Sequence, residues 1–369
     1  MKGKQLPEKF LERLTEMFGV SLFREIEKTF VERRTTFRIN TIKSKKEEVI
    51  EVLNQNGFKI RQVTWYKDAF VLLNKSKREL TDLDIYNEGK IYIQSLASMI
   101  PPLVLDPQPG EKVLDLTAAP GSKTSQIAAL IGCVGEIVAN DNNKIRFFKL
   151  KHNMEVLGVT NTPRPAVAGH PSPRGDFSTS LLEEGVPRGG REVFAWQFTL
   201  RMEHGGALCR EYPEYFDKIL LDAPCSAEAR FIAGEPKTHG YWKEQKIKEM
   251  AYKQWGLLLA AWSALKPGGT LVYSTCTFAP EENELQITKF LERVKDGEIL
   301  PAQGGSASGG DIELKDVKRL PIVKTWPSSA KATAGKKNKV VNPEVVKKAM
   351  RIMPTREIEG FFVVKIMKH

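Results

Sequence analysis

The sequence predicts an α/β protein with a doubly wound parallel sheet and a smaller N-terminal α+β domain. From residue 91 onward, short apolar runs alternate with helical segments, which is the order that builds a parallel sheet with helices on both faces. A turn of small residues, 115–124, joins the first of these strands to a helix. We therefore predict an N-terminal domain over 1–90 and a second domain over 91–369.

The N-terminal domain starts with apolar residues at helical spacing over 7–31, and a break at Gly19 predicts two short helices. A strand, a helix and two more strands are predicted at 33–41, 45–56, 58–63 and 69–73. Its basic and aromatic side chains could face RNA, although a solvated sheet face that binds nothing is an open alternative. These side chains are Arg33, Arg34, Arg38, Arg61, Trp65, Tyr66 and Lys67.

The second domain shows strands and helices in the regular order of a doubly wound sheet. Apolar runs predict strands at 113–114, 136–139, 216–222, 270–274 and 361–366. Helical periodicity predicts helices at 124–131, 144–157 and 244–265, and Gly158 ends the second of them.

Two segments interrupt this order. Residues 162–211 contain no lysine and no clear period, and a compact sheet does not need so long a connection. This segment is either a flexible surface insertion or foreign sequence that replaces part of the third strand, and both interpretations stay open. Residues 300–340, which are rich in Gly and Ser and then in Lys, are predicted to form a flexible loop.

Composition narrows the class of protein. The net charge of +11 and the pI near 9.3 favour a basic surface that suits nucleic acid, although good solubility alone would also explain them. The chain starts without a signal-peptide core and has no apolar run of roughly 18 residues, so we expect a cytoplasmic protein with no membrane partner. The four cysteines have no metal-type spacing, so we expect no metal. We also expect a monomer.

The turn Asp115–Thr124 is predicted to bind a nucleotide-like cofactor. In open α/β sheets such ligands bind beyond the carboxyl end of the first strand, against backbone N–H groups and a helix N-terminus. Ala118, Ala119 and Gly121 permit a close approach of the backbone, and Pro120 stiffens the turn. Asp141 ends the second strand, where a carboxylate commonly accepts both hydroxyl protons of a ribose.

Two cysteines follow predicted strands of this sheet. Cys225 comes after Asp222 and Pro224, and Cys276 precedes Glu281 and its neighbours. A lone cysteine is usually a small core residue. Two cysteines at the carboxyl edge of one sheet, beside a cofactor turn, instead indicate reactive thiols.

These motifs together resemble a known family. Asp-Leu-Thr-Ala-Ala-Pro-Gly-Ser-Lys-Thr, Leu-Leu-Asp-Ala-Pro-Cys-Ser and Tyr-Ser-Thr-Cys-Thr-Phe-Ala-Pro-Glu-Glu-Asn are similar, in that order, to the cofactor, fourth and sixth motifs of the RsmB/Sun family of RNA cytosine-5 methyltransferases. Supporting matches lie at 37–41, 140–158 and 359–362. The resemblance implies a Rossmann-like methyltransferase sheet, S-adenosylmethionine as cofactor, and rRNA or tRNA as partner.

The resemblance also implies roles for individual residues. Cys276 would be the nucleophile that adds to carbon 6 of cytosine, and Cys225 would assist the later elimination. Asp222 would bind the cytosine edge next to the cofactor, and Lys123 would be its electrostatic partner, which would also favour the thiolate. The implied cofactor-binding residues are Thr117, Ala118, Ala119, Pro120, Gly121, Ser122, Lys123, Asp141, Arg146, Asp176 and Asp222.

The chain departs from the family pattern at three places. Ser122 stands where the family often has glycine. Ser226-Ala227-Glu228-Ala229-Arg230 replaces the usual Ser-Gly-x-Gly after the fourth motif, and the loss of both glycines would stiffen or narrow this loop. The family's third-strand aspartate, which contacts the adenine side of the cofactor, falls in 162–211, where Asp176 is the candidate.

Two other functions compete with RNA methylation. The altered loop after Cys225 and the segment 162–211 are compatible with a non-catalytic RNA-binding or ribosome-assembly protein on the same fold. A DNA cytosine methyltransferase that uses Cys225 as its nucleophile is the third reading, but Cys276 fits the nucleophile motif of the RNA family better.

Overall fold

A computed structural model describes residues 5–160, 196–303, 314–326 and 339–369. In these ranges the α-helices are α1 (Glu8–Glu27), α2 (Lys46–Gln55), α3 (Lys77–Thr81), α4 (Asp84–Asn87), α5 (Leu96–Leu105), α6 (Ser122–Leu130), α7 (Lys144–Leu157), α8 (Gly205–Glu211), α9 (Glu244–Ala264), α10 (Glu284–Val294) and α11 (Pro343–Lys348). The strands are β1 (Thr36–Ile39), β2 (Ile60–Val63), β3 (Tyr66–Leu72), β4 (Ile91–Ile93), β5 (Lys112–Asp115), β6 (Glu136–Asn140), β7 (Gln197–Arg201), β8 (Phe216–Asp222), β9 (Leu265–Thr275), β10 (Gly297–Leu300), β11 (Arg319–Leu320), β12 (Thr325–Trp326), β13 (Lys339–Val340), β14 (Met350–Ile352) and β15 (Phe361–Lys368).

The N-terminal region forms an antiparallel sheet with the strand order β2-β3-β1-β4. Helix α1 is kinked at Gly19, whose φ of 75° and ψ of 161° are not helical, so the predicted break is confirmed. The strand β4 was expected to open the second domain, but it pairs with β1. The boundary between the two sheets therefore lies after Ile93 and not at residue 90, because a three-residue strand does not reveal its partner by its own pattern.

The second sheet has the strand order β11-β14-β15-β9-β8-β5-β6-β7, and β10 pairs with β15. Its centre, from β7 to β9, is parallel, while β15, β14, β11 and β10 are antiparallel. The chain order reverses between β5 and β8, which is the switch point where ligands bind in doubly wound sheets. The predicted fold class is confirmed.

Two predicted interruptions are smaller than expected. Residues 197–211 contain β7, which pairs in parallel with β6, and α8, so this part of the segment 162–211 belongs to the sheet. Asp176 lies outside the described residues. Within 300–340, β11 pairs with β14, and Trp326 on β12 is buried, so these parts of the predicted flexible loop are packed.

The N-terminal sheet shares a hydrophobic core with the second sheet. Val71 on β3 belongs to the same buried cluster as Val113 on β5 and Ile127 on α6. The fully buried Arg38 guanidinium of β1 donates hydrogen bonds to Gln94 Oε1 at 3.2 Å and to Ser125 Oγ at 2.9 Å. A buried guanidinium is tolerated in this core because these polar groups satisfy it.

This shared core corrects the predicted RNA-facing surface. Arg38, Trp65 and Tyr66 are buried in the shared core and do not face solvent. Arg34, Arg61 and Lys67 are exposed. The sequence did not distinguish the two groups because both lie in or next to short strands with mixed polar and apolar residues.

None of the helices in the described parts of the chain combines the length and the hydropathy that a bilayer crossing requires.

Candidate active site

A cavity of about 1400 Å³ opens at the carboxyl ends of β5, β6, β8 and β9. It is larger than the roughly 300–1,000 Å³ of a typical small-molecule pocket, so it has room for a cofactor and part of a second ligand. The predicted site residues that line it are Thr117, Ala118, Ala119, Pro120, Ser122, Lys123, Asp141, Arg146, Asp222, Cys225 and Cys276.

Unlike its neighbours in the turn, Gly121 does not line the cavity but packs against α7. Its φ of 103° is left-handed, and an added Cβ would lie 2.5 Å from Met154 Cε and 3.0 Å from Leu150 Cδ1 on α7. Only glycine meets both conditions. The turn is therefore packed tightly against α7, and the Ala119–Pro120 peptide before it is cis.

Asp141 is held at the end of β6 with its carboxylate at the cavity wall. Its Oδ1 accepts a hydrogen bond from the Asn143 N–H at 3.0 Å, and its Oδ2 lies 3.2 Å from Arg146 Nη2. The same Arg146 atom donates to the Ala119 carbonyl oxygen at 2.6 Å. Arg146 thus links the carboxylate to the turn and fixes the distance between them.

Lys123 and Asp222 form the polar centre of the cavity. The Lys123 ammonium donates to Asp222 Oδ2 at 2.6 Å and to Ser98 Oγ at 2.8 Å, and the lysine is buried. The Ser274 hydroxyl donates to the other carboxylate oxygen at 2.9 Å. The lysine charge is therefore balanced by Asp222 and is not directed at a thiol.

The two predicted thiols lie together. Cys225 Sγ and Cys276 Sγ are 3.4 Å apart, although 51 positions separate them in the chain. The hydrogen bond from Cys225 is the main cause that lowers the pKa of Cys276, and burial opposes it. The same bond and burial raise the pKa of Cys225 well above its ordinary value. The pair therefore favours a thiolate at Cys276 and a protonated thiol at Cys225.

A buried polar network connects the loops that carry Cys225 and Cys276. Glu282 Oε2 accepts from the Ser226 N–H at 3.0 Å and from Gln254 Nε2 at 2.8 Å, and Glu282 Oε1 accepts from the Ser226 hydroxyl. The Ser226 and Thr277 hydroxyls are 2.7 Å apart. Because Ser226 follows Cys225 and Thr277 follows Cys276, this network fixes the loops relative to each other.

In the loop after Cys225, Ala227 takes the place of the first glycine of the family's Ser-Gly-x-Gly pattern. Its φ of 56° and ψ of 33° place it in the left-handed region, which glycine occupies without strain. The alanine costs about 1 kcal/mol there. The backbone keeps a glycine-like course, and the substitution is accommodated.

Glu282→Gln is expected to change the pH dependence of stability. Burial raises the pKa of Glu282 to about 8, whereas the unfolded chain ionises it near its ordinary value. The unfolded state therefore releases this proton first, and stability falls as the pH rises from about 4.5 to 8. The glutamine variant lacks this loss. Between pH 5 and pH 8 its free energy of unfolding should rise by about 2–4 kcal/mol relative to that of the wild type.

Urea denaturation at both pH values measures this difference. Glu292→Gln removes an exposed carboxyl from α10 and serves as the control, with the wild-type pH profile expected. A Glu282→Gln profile that runs parallel to the wild-type profile would contradict the raised pKa.

Several groups in the cavity were not found from the sequence. Ser98 on α5 accepts from Lys123, the Asn140 carbonyl oxygen on β6 accepts from the Ala118 N–H, and Arg230 and His204 line the cavity. His204 follows β7, at the strand end where an aspartate was expected. The sequence around β7 is rich in Pro and Gly and gives no clear strand signal. The pairing of β7 with β6 in the structure identifies the strand.

The strand order and the cavity at the switch point define a Rossmann-like fold, which solved methyltransferases share. A solved methyltransferase homologue from Pyrococcus horikoshii is 30% identical, with a TM-score of 0.71 over 98% of this chain and 95% of that chain. NSun6 from Pyrococcus horikoshii, at 21% identity and a TM-score of 0.70 over 99% of both chains, shares the fold.

The family description "16S rRNA methyltransferase RsmB/F" matches residues 102–167 and 198–367, and "N-terminal domain of 16S rRNA methyltransferase RsmF" matches residues 6–96. The chain belongs to the RsmB/RsmF family. The resemblance inferred from the motifs is confirmed.

Named relatives in this family differ in length. The ribosomal RNA small subunit methyltransferase F of Pectobacterium atrosepticum is 34% identical over 78% of this chain and 53% of its own length. The tRNA (cytosine(49)-C(5))-methyltransferase of Pyrococcus abyssi is 30% identical over 99% of this chain and 97% of its own. The chain thus spans about half of the first relative.

Proposed function

We propose that this protein transfers a methyl group from S-adenosylmethionine to carbon 5 of a cytosine in rRNA or tRNA. The observation that carries the proposal is the placement of two thiols 3.4 Å apart in the same cavity as the turn Asp115–Thr124. A cofactor turn alone would suit many α/β proteins, whereas a paired thiol beside it suits covalent chemistry on a base.

The residues of the cavity fit S-adenosylmethionine. Asp141, at the end of β6, offers carboxylate oxygens for a ribose, and the turn offers backbone N–H groups at the start of α6. When bound, the cofactor would supply an electrophilic methyl group. His204 takes the strand-end position on the adenine side, so we propose it in place of Asp176 as the group to test there.

Cys276 would act as the nucleophile. Its thiolate sulfur would form a bond to carbon 6 of the cytosine, and the electron pair of the C5–C6 double bond would move to carbon 5, which would take the methyl group and leave S-adenosylhomocysteine. Transfer of the carbon 5 proton to solvent would then restore the double bond, and the carbon–sulfur bond would break with its electron pair returning to Cys276. Cys225, whose sulfur lies against Cys276, would assist this elimination.

Asp222 and Lys123 would position the base. The Asp222 carboxylate lines the cavity between the cofactor turn and the thiols, and the Lys123 ammonium fixes it at 2.6 Å. A carboxyl there can hold a protonated ring nitrogen and so stabilise the charge that develops during addition. The base must leave its stack to enter, so we propose an unpaired or deformable RNA site.

Methyl transfer from labelled cofactor tests the proposal. The protein would be incubated with S-adenosylmethionine labelled in the methyl group and with transcripts of 16S rRNA, transcripts of tRNA, or duplex DNA. We expect label in one of the RNA classes, recovered as 5-methylcytidine after nuclease digestion.

Each other outcome overturns the proposal in its own way. A folded protein that binds RNA but transfers no methyl group to any RNA would be a non-catalytic RNA-binding protein. Transfer to DNA alone would identify a DNA methyltransferase.

A further inference from the structure

Arg230 is fixed beside the nucleophile by its own backbone. It ends the short turn Glu228–Arg230, in which the Ala229 N–H donates to the Cys276 carbonyl oxygen at 3.1 Å. Arg33 holds the same turn by donating to the Ala229 carbonyl oxygen at 3.0 Å. The turn therefore cannot shift without moving Cys276, and it presents the exposed Arg230 side chain to the cavity.

The Arg230 charge is not neutralised by a direct partner. In the described part of the chain, its side chain makes no hydrogen bond or ion pair. Lys123 and Arg146, the two cations among the predicted site residues, differ in this respect, because Lys123 is paired with Asp222 and Arg146 is paired with Asp141. Arg230 thus keeps its full charge for a group inside the cavity.

Cys276 is the group that the Arg230 charge affects most. Negative charge at Cys276 is the main cause that raises the pKa of Arg230. In return, after the hydrogen bond from Cys225, the Arg230 charge is the next influence that lowers the pKa of Cys276. Asp222 and Glu359 act in the opposite sense on this thiol, and Tyr241 lies within electrostatic reach of both thiols.

Because negative groups act on the Cys276 thiol, a thiolate there needs a nearby positive charge. The negative charges of Asp222 and Glu359 raise the pKa of the Cys276 thiol, and without a positive group they would keep its proton in place. We propose that Arg230 is a positioning residue that stabilises the Cys276 thiolate before attack. Its side chain has no other partner in the described part of the chain. The inference rests on the proposed function, since it assigns the activator of that nucleophile.

Alkylation of Cys276 by iodoacetamide, followed against pH by mass spectrometry of its peptide, tests this inference. The reaction needs neither RNA nor cofactor and measures the thiolate directly. In Arg230→Met the midpoint should rise by about one pH unit, which makes alkylation about tenfold slower below the midpoint. Arg230→Lys keeps the charge and should restore most of the rate.

Arg210→Met is the matched control. Arg210 is also an exposed cavity-lining arginine, and it is not among the leading influences on the pKa of Cys276. Its removal should leave the alkylation midpoint unchanged. Circular dichroism and thermal unfolding would establish that each variant is folded, and Arg230→Gln replaces Arg230→Met if the latter does not fold.

The outcomes separate three cases. An unchanged midpoint in a folded neutral variant overturns the inference. Weaker RNA binding with an unchanged midpoint would assign Arg230 to an RNA phosphate and also overturns it. A raised midpoint supports the inference, and the acidic limb of the pH profile of kcat/KM for methyl transfer should then move upward by the same amount. A raised midpoint in a protein that methylates no RNA would support the role of Arg230 and contradict the proposed function.

Discussion

Cys276→Ala is expected to abolish methyl transfer, and Cys225→Ala is expected to trap the protein on its RNA. Without the Cys276 sulfur no bond to carbon 6 can form, so the rate should fall by on the order of 10⁴-fold or more. Without Cys225 the addition still takes place but the elimination loses its assistance. A covalent protein–RNA adduct should then accumulate.

Denaturing gel electrophoresis with labelled RNA measures the adduct, and release of labelled methyl groups measures turnover. Cys133→Ala removes a half-buried thiol away from the pair and should behave as the wild type in both assays. An adduct in Cys276→Ala and none in Cys225→Ala would reassign the nucleophile to Cys225. The DNA-type alternative would then gain support.

Arg351→Met is expected to lower the free energy of unfolding by about 3–5 kcal/mol. Arg351 on β14 is 2% exposed and its partner Glu284 is fully buried, with Nη2 and Oε2 2.6 Å apart. Its Nη1 also donates to the Phe278 carbonyl oxygen at 3.0 Å. Removal of the guanidinium takes away the charged partner of a buried carboxylate and a donor to a buried carbonyl, and among the described residues the carboxylate keeps only the Val323 N–H at 3.3 Å.

Urea denaturation of the variant measures this loss. The exposed ion pair of Arg61 and Glu357 provides the control, since Arg61→Met should change stability by about 1 kcal/mol or less. Adding Glu284→Gln to Arg351→Met should cost less than the sum of the two single changes, because one interaction is lost twice in that sum. A loss below about 1 kcal/mol for Arg351→Met would show that the pair is dispensable.

The elements that sequence predicted well are those with local signals. Gly158 has the left-handed conformation of a helix C-cap, and α7 ends at the predicted Leu157. The cofactor turn and the two cysteine-bearing strand ends were placed at one edge because parallel strands share the direction of their carboxyl ends. The meeting of the two thiols follows from that rule.

The elements that sequence missed depend on partners far away in the chain. The burial of Arg38 requires Ser125, 87 positions later, and nothing in the local pattern of β1 reveals it. Strand β7 is defined by its pairing with β6 and not by its composition. The role inferred for Arg230 likewise depends on Asp222 pairing with Lys123, which removes the lysine charge from the thiol.

The bond between Arg38 and Ser125 has a consequence for protein engineering. Ser125 lies on α6, the helix that starts at the cofactor turn, so the N-terminal sheet is part of the scaffold of that turn. Asn40 on the same side also donates to the Leu157 carbonyl oxygen at the end of α7. The two sheets are therefore not interchangeable modules: a chimaera with the N-terminal sheet of a relative must carry matching residues at 38, 40 and 125 to keep its cofactor turn in place.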